Sequence, residues 1–77
     1  MKVTVYTPEW SRSFDAEAVF LPGSAAPFEV LPGHAPLIST LEAGQVRWRS
    51  GGKEETLAVK TGAVRVAADN IEICAEV

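Results

Sequence analysis

The sequence predicts an all-β fold, a small flattened β-sandwich or barrel of about eight to ten short, mostly antiparallel strands. Three observations carry that prediction. Apolar and polar residues alternate with a period of two in several separate runs, as in strands with one buried face. Proline and glycine interrupt those runs at short intervals and leave no stretch suited to a long helix. The chain has 77 residues, room for a single domain spanning 1–77.

The first alternation is Lys2-Val3-Thr4-Val5-Tyr6, which places Val3 and Val5 on one face before Pro8 ends it. Glu9–Leu21 lacks proline and glycine and has room for a helical turn, but Ala18-Val19-Phe20-Leu21 ahead of Pro22 reads as a strand stopped by a breaker. Pro22-Gly23 and Pro32-Gly33 are expected to be turns. Between them, Ala25-Ala26-Pro27-Phe28-Glu29 is expected to be a loop with an apolar tip. Phe28 then has two possible fates, an exposed contact or a return into the core.

The second Pro-Gly feeds an apolar strand over Leu37–Leu41, and Gly44 marks the next turn. Val46 and Trp48 alternate with Gln45, Arg47 and Arg49, so the two arginines share a solvated face and Trp48 points inward. Ser50-Gly51-Gly52-Lys53 is a hairpin tip leading to Thr56–Lys60, because Gly-Gly suits turns that need positive φ. Gly62 reads as another turn. Val64 and Val66 then alternate around Arg65, and Ile71, Ile73 and Ala75 around Glu72 and Cys74. Asp69-Asn70 should therefore close a second hairpin, with Cys74 facing outward.

Composition excludes several functions. Ten acids against seven bases give a net charge of −3 with no block of either sign, so there is no basic footprint for nucleic acid. Cys74 is the only cysteine and cannot form an internal disulfide, which points to a reducing compartment or a partner surface. The N-terminus lacks the apolar core of roughly seven residues that a signal peptide needs. No window approaches the ~18 apolar residues of a membrane span, so no direct membrane insertion is expected.

The segment Leu31-Pro32-Gly33-His34-Ala35-Pro36-Leu37 is the strongest candidate for a presented site. Pro32 and Pro36 fix φ, and Gly33 can supply the positive φ of a type II turn, so the only histidine, His34, sits at a stiff corner. Zinc would need roughly three or four ligands, and one His, one Cys and no clustered acid supply no such set. Neither Ser39 nor any other serine lies in a nucleophile-elbow glycine pattern, and Ser50-Gly51-Gly52-Lys53 lacks Walker spacing. No metal, cofactor or catalytic residue is expected. His34 is left as a turn residue bonded to local backbone or as an interface contact.

In order and spacing, Pro22-Gly23, Leu31-Pro32-Gly33-His34-Ala35-Pro36-Leu37, Leu41 and Gly44 resemble the N-terminal β-sandwich domain of the epsilon subunit of F-type ATP synthase. The likeness covers nearly the whole chain, through Gly62 and the Val64–Ala75 hairpin. It departs at Ala25–Glu29, where family members commonly carry glycines, and at Gly62-Ala63-Val64, where they often have Gly-Gly-Phe. Typical members also continue beyond the position of Val77 into a C-terminal helical hairpin that carries an inhibitory extended state and, in some bacteria, an ATP site.

The resemblance implies a non-catalytic rotor subunit of the central stalk that links the gamma subunit to the c-ring in ATP synthesis coupled to proton transport. It would lack the C-terminal helical domain and inhibitory arm, and would lie peripherally at the cytoplasmic face of the bacterial inner membrane. By position in the motif, Ala26, Pro27, Phe28 and Glu29 would face the c-ring, and His34 with Ser39 would face gamma. The alternative is a free-standing β-sandwich that binds a peptide or small ligand through the Pro-Gly-His-Ala-Pro turn.

Overall fold

Each alternating run becomes a strand in the computed structural model, which describes residues 1–77 and contains no helix. Nine strands follow in order: β1 (Lys2–Tyr6), β2 (Ser11–Asp15), β3 (Ala18–Leu21), β4 (Phe28–Val30), β5 (Leu37–Leu41), β6 (Gly44–Ser50), β7 (Lys53–Val59), β8 (Thr61–Ala67) and β9 (Asn70–Glu76). They form a five-stranded sheet ordered β2-β1-β9-β8-β5 and a four-stranded sheet ordered β4-β3-β6-β7. The pairings are antiparallel except for β1 with β9, where Val3 lies beside Ile71 and Val5 beside Ile73. Overall extents of 26 × 24 × 17 Å make the sandwich flat.

The core consists of the inward row of each strand. Val3, Val5, Val64, Val66, Ile71 and Ile73 of the larger sheet meet Val19, Leu21, Val30, Val46 and Trp48 of the smaller one, and no polar side chain is buried. Arg47 and Arg49 lie on the solvated face, as their alternation requires. Cys74 is likewise exposed.

Four local expectations need correction. Glu9–Leu21 holds no helical turn; Ser11–Asp15 is strand β2, paired with β1 through the Val3–Phe14 and Val5–Arg12 registers. Its period was masked because Arg12 occupies an inward position where an apolar residue is the usual choice. The reversal between β1 and β2 is held by Thr7, whose amide and hydroxyl both donate to the Trp10 carbonyl, at 2.8 and 3.0 Å. Its hydroxyl oxygen also accepts the Trp10 amide at 3.0 Å, a side-chain turn that threonine makes readily.

The expected loop Ala26–Glu29 is shorter than its sequence suggests. Phe28 and Glu29 belong to β4, because Phe28 pairs with Leu21 and can bury part of its ring against the core. The second hairpin turns at Ala68 and Asp69, with φ of 49° and 60°, and Asn70 already begins β9. Gly62 lies within β8 and makes no turn. Its lack of a side chain serves close packing instead: a Cβ there would run into the Cys74 carbonyl oxygen and lie 3.2 Å from the Ala75 Cβ.

The two open sides of the sandwich are closed differently. Between β4 and β5 the closure is backbone: Gly23 bridges Leu41, the Ser24 amide donates to the Thr40 carbonyl at 3.0 Å, and the Glu42 amide to the Pro22 carbonyl at 2.9 Å. Between the edge strands β2 and β7 the closure is by side chains. Arg12 and Glu55 face each other at 3.6 Å, the Phe14 and Trp48 rings stack at 4.6 Å, and the Trp48 indole N–H donates to Glu55 at 3.2 Å. Charges pointing inward from edge strands also discourage pairing with other chains.

Gly62→Ala is expected to cost about 1–3 kcal/mol, the usual penalty for forcing an atom into close packing. The urea midpoint measures it, and a wild-type midpoint would contradict the close approach of β8 to β9.

Candidate functional site

The Pro-Gly corner has the geometry its residues dictate. The His34 amide donates to the Leu31 carbonyl at 3.1 Å, and Gly33 at the third position of the turn has φ of 83°, the arrangement of a type II turn. A second anchor comes from 36 residues away: the Gly33 amide donates to the Asp69 carboxylate at 2.8 Å. The Asp69 carbonyl in turn accepts the Lys2 amide at 3.0 Å. Asp69 thus ties the corner before β5 to the β8–β9 hairpin and to the start of β1. The sequence shows Asp69 only as a turn residue, since nothing local indicates what its carboxylate reaches.

His34 is exposed at this corner, with Nδ1 2.6 Å from the Ala35 carbonyl oxygen. A carbonyl can only accept, so Nδ1 is the donor in this contact. No grouping of three or more His, Cys, Asp or Glu side chains could hold a metal ion. Ser39 is half-buried on the inward row of β5, opposite Val64, and its hydroxyl donates to the Thr40 carbonyl at 2.9 Å. No hydrogen bond joins it to His34. The most outward-facing apolar residue of β5 is its neighbour Ile38, 79% exposed.

Strand register assembles a surface around Ile38 that no single segment reveals. Across the outer face of the five-stranded sheet, one row runs Ser11, Tyr6, Cys74, Ala63 and Thr40. None of these residues is charged, and apart from Tyr6 all are small. The adjacent row runs Ser13, Thr4, Glu72, Arg65 and Ile38, with Arg65 and Glu72 neutralising each other at 3.3 Å. At one end, Leu31 is 49% exposed beside the His34 corner.

The opposite outer face has a different character. It presents Glu29, Arg47, Arg49 and Glu54, with Arg47 paired to Glu54 at 3.5 Å and lying 4.5 Å from the centre of the Phe20 ring. Interface centres are depleted in charge. By that criterion the uncharged Ser11-to-Thr40 row of the five-stranded sheet, flanked by Glu76 on one side and by Arg65, Glu72, Lys2 and Asp15 on the other, is the better contact surface.

Ala26, Pro27, Phe28 and Glu29 lie elsewhere. Ala26 and Pro27 are exposed in the short loop, and Glu29 is exposed on the charged face. Phe28 turns inward, half-buried beside Gly23, which settles its two possible fates in favour of packing. The Thr40 hydroxyl donates to the Ser24 hydroxyl at 2.8 Å, so this loop sits at the far end of β5 from the His34 corner. A five-residue strand separates the two by roughly 15 Å.

Residues 1–77 match the family model described as the β-sandwich domain of the ATP synthase delta/epsilon chain. An ATP synthase epsilon chain of Wolinella succinogenes is 42% identical over 78 residues, covering 99% of this chain and 60% of that protein. A chain in the central stalk/c-ring structure of the Tetrahymena thermophila mitochondrial ATP synthase superimposes with a TM-score of 0.84 at 19% identity, covering 99% of this chain and 63% of that one. A chain in the Euglena gracilis mitochondrial ATP synthase structure gives 0.88 at 18% identity, covering 95% and 48%. At these identities the two structures speak for the fold. The chain spans about 60% of the length of the Wolinella relative.

Asp69→Gly keeps the left-handed backbone but removes the carboxylate, so the Gly33 amide is expected to exchange with solvent about tenfold faster, as loss of a ~1.5 kcal/mol hydrogen bond implies. Asp69→Asn keeps both an acceptor and a tolerance for positive φ and should retain most of the protection. Equal exchange rates in the wild type and Asp69→Gly would contradict the anchoring role.

Proposed function

The chain belongs to the delta/epsilon β-sandwich family of ATP synthase, and on that premise we propose that it works as a non-catalytic part of the central stalk, joining the gamma subunit to the c-ring. The observation that carries this reading is the uncharged row Ser11-Tyr6-Cys74-Ala63-Thr40 with Ile38 beside it, a sheet face suited to packing against a large partner. Small side chains let a partner helix or sheet approach the backbone closely, and two exposed apolar residues, Tyr6 and Ile38, supply area to bury.

In this reading the gamma subunit covers the outer face of the five-stranded sheet up to the His34 corner. Ser39 contributes only from behind, by bracing β5 through its bond to Thr40. The loop at Ala26 and Pro27, with Glu29 on the adjoining face, meets the c-ring at the other end of β5. The separation of the two patches is what a linking element needs, since each partner can hold one end without displacing the other. The role asks for no bond chemistry: torque passes through packed faces, and stiffness is the relevant property. The domain acts as one unit over residues 1–77, on the cytoplasmic side of a bacterial membrane and attached to it only through its partners.

Ile38→Asp and Ala63→Glu each place a charge in the uncharged face without touching the core, and each is expected to weaken co-purification with gamma by at least roughly tenfold. Replacing Ala26-Pro27 by Gly-Gly should leave gamma binding intact while weakening docking of the pair on c-ring membranes. A pull-down with gamma, followed by sedimentation with those membranes, checks both expectations. Undiminished gamma binding by both charged variants would refute the assignment of the face.

A further inference from the structure

The side-chain seam between β2 and β7 opens outward into a cavity of about 320 Å³ that a stalk role leaves unused. Its principal walls are Trp10, Arg12, Phe14, Trp48, Glu55 and Leu57. Trp48, only 4% exposed, forms the floor, with Phe14 stacked on it. Trp10, 41% exposed, stands at the mouth just after the Thr7 turn and outside the core cluster. An exposed tryptophan beside a buried one, with a gap between sheets, makes a slot with aromatic walls. Its volume lies at the lower end of small-molecule sites, about 300–1,000 Å³, and suits a single ring with its substituent.

The polar groups in the slot are a matched pair at its rim, both about half exposed to water. Glu55 spends one oxygen, Oε2, on the Trp48 indole N–H at 3.2 Å and on Arg12 at 3.6 Å, while Oε1 accepts no hydrogen bond from the chain. The Arg12 guanidinium lies 5.2 Å from the centre of the Phe14 ring and 5.8 Å from that of Trp48. Of its five N–H donors, none makes a hydrogen bond within the chain. The slot therefore offers donors and an acceptor side by side at zero net charge. An anion entering it would meet Glu55, and a cation would meet Arg12. A neutral ligand escapes both repulsions and avoids the cost of burying a charge.

We propose that the seam is a binding slot for a small neutral aromatic carboxamide. The ring lies between Trp10 and the Trp48–Phe14 pair. Its carbonyl accepts from Arg12, and its amide N–H donates to Oε1 of Glu55. Stacking on the open face of Trp10, with an aromatic contact to the Phe14–Trp48 pair, favours a planar π-system over a saturated ring of equal size.

Benzamide is the probe, followed by the ¹H–¹⁵N signals of the Trp10 and Trp48 indoles in the 77-residue chain. Saturable shifts of both signals are expected in the millimolar range, with benzoate, benzylamine and cyclohexanecarboxamide each at least roughly tenfold weaker. Trp10→Ala, at an exposed site outside the core, should weaken benzamide by a similar factor while leaving the core methyl signals in place. Absence of saturation would overturn the site itself. Benzoate or benzylamine binding as tightly as benzamide would overturn the neutral donor–acceptor match, and equal binding of the saturated amide or an unaffected Trp10→Ala would overturn the aromatic slot.

Discussion

The parallel pairing of the first strand with the last is the constraint on which the rest of the molecule depends. In the middle of the five-stranded sheet, β1 and β9 set Val3 beside Ile71 and Val5 beside Ile73, four side chains with essentially no exposure. The same register, read on the other face, sets Tyr6 beside Cys74 and Thr4 beside Glu72. One set of backbone bonds therefore makes both the centre of the core and the centre of the proposed contact surface. A one-residue slip would exchange the two faces and destroy both. Contacts between the two ends of a chain are also slow to form, because loop closure has to precede any gain from packing.

Around that centre, the two sides of the sandwich are sealed by different physics. The Gly23–Leu41 side is closed by backbone hydrogen bonds, which fix geometry tightly and turn the sandwich part of the way into a barrel. The Arg12–Glu55 side is closed by exposed charges and stacked aromatic rings. Ion pairs of that kind contribute little to stability, so most of the hold there comes from the Phe14–Trp48 contact and the burial of Trp48. A seam sealed by side chains leaves gaps that backbone closure does not, which is why the ligand slot is found there.

The Pro-Gly corner shows how a segment suggestive of chemistry serves shape instead. Proline restricts the turn from within, and Asp69 holds it from the neighbouring hairpin. The histidine it presents has its Nδ1 engaged with the adjacent carbonyl, and the Asp69 carboxylate at the same corner accepts the Gly33 amide. A stiff corner is of use to a part that passes on force between neighbours, since compliance there would absorb rotation. Of the outward side chains of β8 and β9, Ala63 and Cys74 are small and would let a partner approach the backbone closely.

Strand period and turn chemistry were legible in the sequence: β1, β3 and β5 to β9, the inward set from Val3 to Ala75, the Gly51-Gly52 hairpin and the type II corner at Gly33 all follow from local residue order. Local rules misread β2, β4 and Gly62. Arg12 occupies an inward site for the sake of a partner on β7, Phe28 is drawn into a strand by Leu21, and Gly62 is small because β9 passes close by. In each case the deciding neighbour is distant in sequence. The same holds for the contact face, whose row draws on five strands, and for the aromatic slot, which lies between two edge strands from different sheets. Alternation along one strand tells which side chains turn outward, but which outward side chains become neighbours depends on strand order and register, and those are set by the packing of the whole core.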